Sequence, residues 1–309
     1  MLVGAKHAQP SPIFRTLAEI LEPQKITLAT TNLKMKKYIT IFILLLLNSY
    51  TFAQIQNNTA MQDTIIDKYL KNGAYKYHYI LQGWDDIINL ALKQDSTIAL
   101  LWQRKALPLW KSKKYDLALR SYDKAVLYDR ANYLGRRGYL KCIFQKDYIG
   151  AITDMEMAEK EFGYAYQNDH SYPFYISLCH LQLNEFEKAE RILQNDFEKT
   201  IKEHGESWIH FLDLFYMGII QYELRNYDKA ITFFDKTLKI YTNFSDAKYY
   251  KGLCLLQKDD KINAEIVMRE AKVNSEQGYT INEDDATYEI YPYKVNWNMA
   301  KWTIPNYKE

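Results

Sequence analysis

Glycine and proline are scarce in this chain of 309 residues, at 11 and 7, which disfavours an all-β architecture built on many tight turns. Cysteine is scarcer still, at three. An odd, scattered set of that size is no disulfide framework, even in an oxidising compartment. Basic blocks are missing as well. The formal net charge is +2, but residues 1–53 carry six cations (Lys6, Arg15, Lys25, Lys34, Lys36, Lys37) against two anions (Glu19, Glu22), which leaves about −2 on the remainder. A near-neutral body without polybasic runs lacks the field that nucleic-acid binders and membrane-surface patches use. What is abundant is apolar and aromatic: 48% hydrophobic, 15% aromatic and 27 tyrosines, with 25% charged residues. That is the balance of a folded protein with a sizeable core, and long helices are its natural form.

One apolar run stands apart. From Met35 the chain reads MKKYITIFILLLLNSYTFAQ, a lysine pair followed by a run too short for a membrane span, which needs about 20 residues, but of the length of a secretory signal. Cleavage after Ala53 would leave Gln54 first. An uncleaved anchor and a buried helix are the competing explanations. Residues 1–34 have no capped, periodic pattern and end before a second methionine, so they are expected to be a non-native upstream extension. The organisation expected is 35–53 signal peptide, 54–64 linker, 65–277 repeats and 278–309 a C-terminal capping tail.

Within the body a period near 34 residues emerges. A small residue is followed twelve positions later by alanine at Ala106/Ala118, Ser177/Ala189, Gly218/Ala230 and Gly252/Ala264, and thirteen later at Gly138/Ala151. Three before the alanine stands an aromatic, Tyr115, Tyr148, Phe186 or Tyr227, and Lys261 in the last unit. Four after it comes a large apolar residue: Tyr122, Met155, Leu193, Phe234 or Met268. Two antiparallel helices approach closely only where small side chains face each other. The large residue is expected to pack on the next unit, because one hairpin cannot bury its own apolar face and stacking supplies the core. Inserts fall at GYAYQNDHSYP and KEHGES, and residues 67–95 read as a degenerate leading unit with helices around Gly73 and after Trp84. Pro108 lies inside a helix and is expected to kink or break it. Pro173 lies at a helix start, where it is harmless.

These residues resemble the tetratricopeptide repeat, most closely in YMGIIQYELRNYDKAITFFDKTLKIY, residues 216–241. The resemblance implies an all-α, right-handed superhelix of helical hairpins whose first helices line a concave groove for an extended peptide or partner helix. Carried onto this chain it implies groove residues Gln103, Trp110, Phe174, Phe215, Tyr222 and Tyr249, with Arg136 and Gln182 as polar members. Some relatives clamp a C-terminal carboxylate with lysine and asparagine. Gln103, Leu107 and Phe174 stand there instead, so that activity is not implied.

Catalytic chemistry is not apparent. Neighbouring Cys179 and His180 point about 100° apart on a helix, and Cys142 and Cys254, like Cys179, sit near small inward contacts as core residues do. His204 and His210 lie close to Glu203 and Glu206, but no zinc-site spacing supports a metal. Glu283-Asp284-Asp285 lacks the alternation and glycine of a calcium loop and is expected to be surface or helix-entry acid. No phosphate loop, nucleophile elbow or kinase signature occurs. The expectation is therefore a non-catalytic, exported scaffold without cofactor or metal, at the periplasm or cell surface. It would bind a protein or peptide, no nucleic acid, and carry no membrane span in its mature part. The alternative is carbohydrate or cell-wall binding through the tyrosine-rich groove.

Overall fold

Alternation of small and large side chains at helical spacing organises the structure. The computed structural model describes Lys37 and residues 59–283 and 285–307, so the signal-like run lies outside the described residues. The chain divides into residues 1–67, of which 59–65 are helical, and residues 68–309. The second unit holds α1 (Gln82–Gln94) and then five hairpins. They are α2 (Ala99–Lys111) with α3 (Tyr115–Tyr128), α4 (Arg130–Leu140) with α5 (Tyr148–Phe162), α6 (Tyr172–Gln182) with α7 (Phe186–His204), α8 (Phe211–Glu223) with α9 (Tyr227–Ile240), and α10 (Ser245–Gln257) with α11 (Lys261–Glu276). Among the described residues no helix is long and apolar enough to cross a membrane. Over the expected leading unit the chain forms a π-helix at Ile66–Lys71, a 3₁₀ turn at Ala74–Lys76 and α1.

Helix starts follow local chemistry. Asp129, Asp147, Ser171, His210 and Asp260 accept backbone N–H groups as N-caps, and Pro173 sits in the first turn of α6, where no donor is needed. Each hairpin turn repeats one backbone device: Lys113, Lys146, Asn184, Arg225 and Asp259 all have φ near +60°, two residues before the second helix begins. This left-handed residue ends one helix and aims the next.

In three hairpins the glycine of the first helix lies beneath the large residue of its own second helix. A Cβ added to Gly218 would meet the Phe234 ring at 2.5 Å, one on Gly138 would meet Met155 Cγ at 2.6 Å, and one on Gly252 would meet Met268 Cγ at 2.2 Å. In the third unit the Ser177 hydroxyl donates to the Ala189 carbonyl at 2.8 Å. The large residues also reach the next hairpin: Phe234 stacks near Tyr250 and Tyr122 meets Tyr133 edge-on. So the expected contact to the next unit is joined by one within the hairpin.

Pro108 does not break α2, which runs unbroken from Ala99 to Lys111. The proline withholds the N–H that the Arg104 carbonyl would accept, and the Trp84 indole N–H of α1 donates there at 3.1 Å. The insert at 163–173 makes a small antiparallel pair, β1 (Tyr166–Gln167) with β2 (His170–Ser171). The cysteines are buried and free. After α11 the chain does more than cover the last hairpin: Ala300 and Ile304 cover Tyr249, Met268 and Ala271, but Ile281 and Tyr291 join the main core.

Candidate functional site: the first-helix face and the tail that lies in it

The tail, residues 279–307, goes out along the first helices and comes back. It leaves α11 through Gly278, whose φ of +85° suits glycine, and is received by the buried carboxylate of Asp246 in α10. That carboxylate accepts from the Thr280 hydroxyl at 2.7 Å, from the Ile281 N–H at 3.1 Å and, from the returning strand, from the Val295 N–H at 2.7 Å. Lys294 ties the two strands by donating to the Ile281 carbonyl at 2.7 Å. Burial pushes the Asp246 carboxyl above its ordinary range, against the pull of those donors and of Lys294.

At the far end the tail's acids meet cations. Asp285 pairs with Lys111 of α2 and accepts from the Tyr139 hydroxyl of α4. Glu289 pairs with Lys113 at 3.3 Å and accepts from the Tyr115 hydroxyl. The Lys111 ammonium lies 3.6 Å over the Tyr288 ring, a cation–π contact. On the return, Lys146 donates to the Ile290 carbonyl at 2.9 Å, Tyr216 of α8 donates to the Pro292 carbonyl at 2.8 Å, and Tyr293 donates to Glu223 at 2.9 Å.

Midway, Glu283 reaches His170 of β2 at 3.5 Å while Asp213 holds the other ring nitrogen at 2.6 Å. Burial alone would push the His170 imidazole down, but the Asp213 charge and hydrogen bond, with the Glu283 charge beside it, outweigh it and raise it to about 9. Glu283, although burial pushes it up, is held below the usual carboxylate range by that cation. His210, stacked edge-on to His170, is lowered by burial and by the His170 charge. Donor atoms of His170, His210 and Asp213 lie within 4.8 Å of one another, but a proton on His170 between two carboxylates accounts for the grouping. His204, which the sequence placed with His210, is exposed and stacks near Trp208 instead.

This triad fixes a pH window. The raised His170 contributes stability that is complete below its unfolded value near 6.5 and is lost as pH rises through about 9, on the order of 3 kcal/mol. The lowered Glu283 contributes above its ordinary value and loses it as pH falls through the folded one. Wild-type Tm should therefore decline between pH 7 and 10, and His170→Gln should flatten that limb. An unchanged slope in the variant would remove His170 from the balance.

The groove residues expected from sequence occupy two stripes. Counted from the small residue of each first helix, Gln103, Phe174, Phe215 and Tyr249 stand three before it, and Trp110 and Tyr222 four after it. In the structure Gln103, Trp110, Phe174, Phe215 and Tyr249 are buried and Tyr222 is half-buried. Phe215 packs among Phe234, Phe244 and Tyr250, and Phe174 lies under His170. Of these six, Tyr249 meets the tail, at Trp297 and Thr303. Besides Asp246, five first-helix residues that meet the tail lie on the adjacent stripe, at two before, one after and five after the small residue: Tyr216 and Tyr250, Tyr139, and Lys111 and Glu223. Arg136 and Gln182 share that stripe. Arg136 is exposed, and Gln182 is taken by the Tyr148 hydroxyl at 3.2 Å. Tyrosines whose rings are buried but whose hydroxyls need a partner were the available signal.

Nucleophilic chemistry finds no support at the cysteines. A hydrogen bond with Cys142 and burial push the Cys179 thiol well above its ordinary value, the opposite of what a nucleophile needs. His180 turns to Glu185 at 2.7 Å.

Stacked helical hairpins with a continuous core and a face of first helices define an α-solenoid. Its fold is that of tetratricopeptide-repeat proteins. It is similar to a tetratricopeptide repeat protein from Parabacteroides merdae (TM-score 0.54, 15% identity, 69% of this chain and 79% of that one). It also resembles BtubC from P. vanneervenii (TM-score 0.50, 17% identity, 64% and 90%). A third likeness is to a chain of the Cut9–Hcn1 hetero-tetramer of the APC/C (TM-score 0.51, 15% identity, 74% and 44%), so this chain spans less than half of that one. No family model matches the sequence, and no curated protein is similar to it.

Proposed function

We propose that this protein is an exported, non-catalytic scaffold that binds polypeptide along the face of its first helices. One observation carries this: the face holds the main chain of an extended segment through side chains. Asp246 takes two tail N–H groups, and Tyr216 and Lys146 take two tail carbonyls. Such contacts read backbone rather than sequence, as a groove for extended peptide must. Neighbours sharing the fold supply its class, and a fold hosts many unrelated partners. Export rests on the run after Met35. Carbohydrate binding would need exposed rings, and with the tail in place Tyr175, Phe215 and Tyr216 are at most 1% exposed.

The test is site-specific photo-crosslinking in cell envelopes, with the crosslinker replacing the exposed Arg136 on the face or the exposed Ile262 of α11. The Arg136 position should yield adducts to a discrete polypeptide, and fractionation should find the protein exported with Gln54 as its first residue. Adducts at Ile262 alone, or glycan adducts at Arg136, would overturn the groove assignment.

A further inference from the structure

The tail is a record of what the face recognises. Resting on the binding function proposed above, we propose that the external partner is an extended polypeptide segment carrying a short acidic run followed by apolar and aromatic residues, which docks by displacing the tail's outward loop.

The face is graded in charge. At its α2–α6 end stand Lys111, Lys113, Lys146 and the His170 cation, whose charge Asp213 shares, and at its α8–α10 end the carboxylates Glu223 and Asp246. The tail matches that gradient in order. Its acids Glu283, Asp285 and Glu289 lie against the cationic end, and Lys294 acts on Asp246 at the other. Opposite charges brought together in this order fix register and direction more than affinity. A partner lacking carboxylates would leave Lys111, only 16% exposed at its side chain, half-buried and unpaired, which is the costly outcome.

Apolar content follows from the same accounting. Ile281 and Tyr291 are each 1% exposed, so an occupant that removed them without replacement would open the core. An acidic segment alone would therefore not displace the tail; the partner has to bring its own large apolar groups. Because the tail is tethered, its effective concentration is in the millimolar range, and wild-type affinity for any outside segment is reduced accordingly.

The experiment measures fluorescence anisotropy of a labelled synthetic peptide of residues 280–297 against the full mature chain. The comparison peptide has Glu283, Asp285 and Glu289 replaced by Gln, Asn and Gln. Protein variants loosen the tail without altering the face: Asp285→Ala with Glu289→Ala, and separately Lys294→Ala. Helical content by circular dichroism and faster proteolysis within the tail establish that each is folded and loosened. Loosened variants should bind the acidic peptide about tenfold more tightly than wild type, the neutral peptide should bind about tenfold more weakly, and Lys111→Ala should erase that difference. Equal binding of both peptides, abolished by Asp246→Ala, would overturn the acidic preference while leaving the polypeptide-binding function standing. No binding of either peptide to a chain whose tail is demonstrably loose would overturn both.

Discussion

Phe234→Ala will lower the stability of the repeat array by about 3–5 kcal/mol, because its ring is wholly buried at a point where two hairpins and one glycine meet. The ring lies over Gly218 within its own hairpin, packs with Phe215 and reaches Tyr250 of the next. Deleting it therefore opens a void shared by α8, α9 and α10, and neither hairpin can close it alone. The complementary change is Gly218→Ala, whose new Cβ would sit 2.5 Å from the ring. Overpacking of this kind costs about 1–3 kcal/mol. The two are coupled through a single contact, so the pair Gly218→Ala with Phe234→Leu should lose less than the sum of its parts. Urea denaturation of the four proteins measures this. Strict additivity would show that the small residue at Gly218 is not there to receive Phe234.

That contact is also the part of the fold most legible in sequence. The recurrence of a small residue, an alanine and a large apolar residue at set distances is forced by helix approach, a local constraint repeated five times. Period and helix pairing could be read because each unit states the same packing problem. That Pro108 leaves its helix unbroken was not legible, because the group that takes up the freed Arg104 carbonyl, the Trp84 indole, comes from another helix. The burial of three expected groove residues has a related cause. Trp110, Phe174 and Phe215 are the most apolar choices on their helices, and the array buries them between helices. The tail meets Lys111 and Tyr216 instead, amphipathic residues that present a polar end. Nothing local announces the tail's path: Asp285 reaches α2, and Glu283 reaches a histidine in an insert. Those partners lie more than a hundred residues away in sequence, and the acidic run that serves them looks like any solvated acid until they are placed.

Asp246→Ala should release the tail while leaving the hairpins folded. Asp246 is fully buried and is the point at which the outgoing and returning strands of the tail are held together. Truncation leaves the Ile281 and Val295 N–H groups without their acceptor, at about 1–3 kcal/mol for each buried donor. The tail can escape that cost by leaving, since its donors then return to water, whereas the hairpins α2/α3 to α8/α9 keep their own contacts. The expected result is rapid amide exchange and proteolysis throughout residues 280–297, with helical circular dichroism preserved. Asp246→Asn retains one acceptor oxygen and avoids the burial that already pushes this carboxyl up, so it should fall between wild type and alanine. A tail that stays protected in Asp246→Ala would mean that Ile281 and Tyr291, buried in the main core, hold it without the polar clamp. In that case displacement by a partner would require breaking apolar packing alone, and the dependence of binding on Lys111 and His170 should vanish with it.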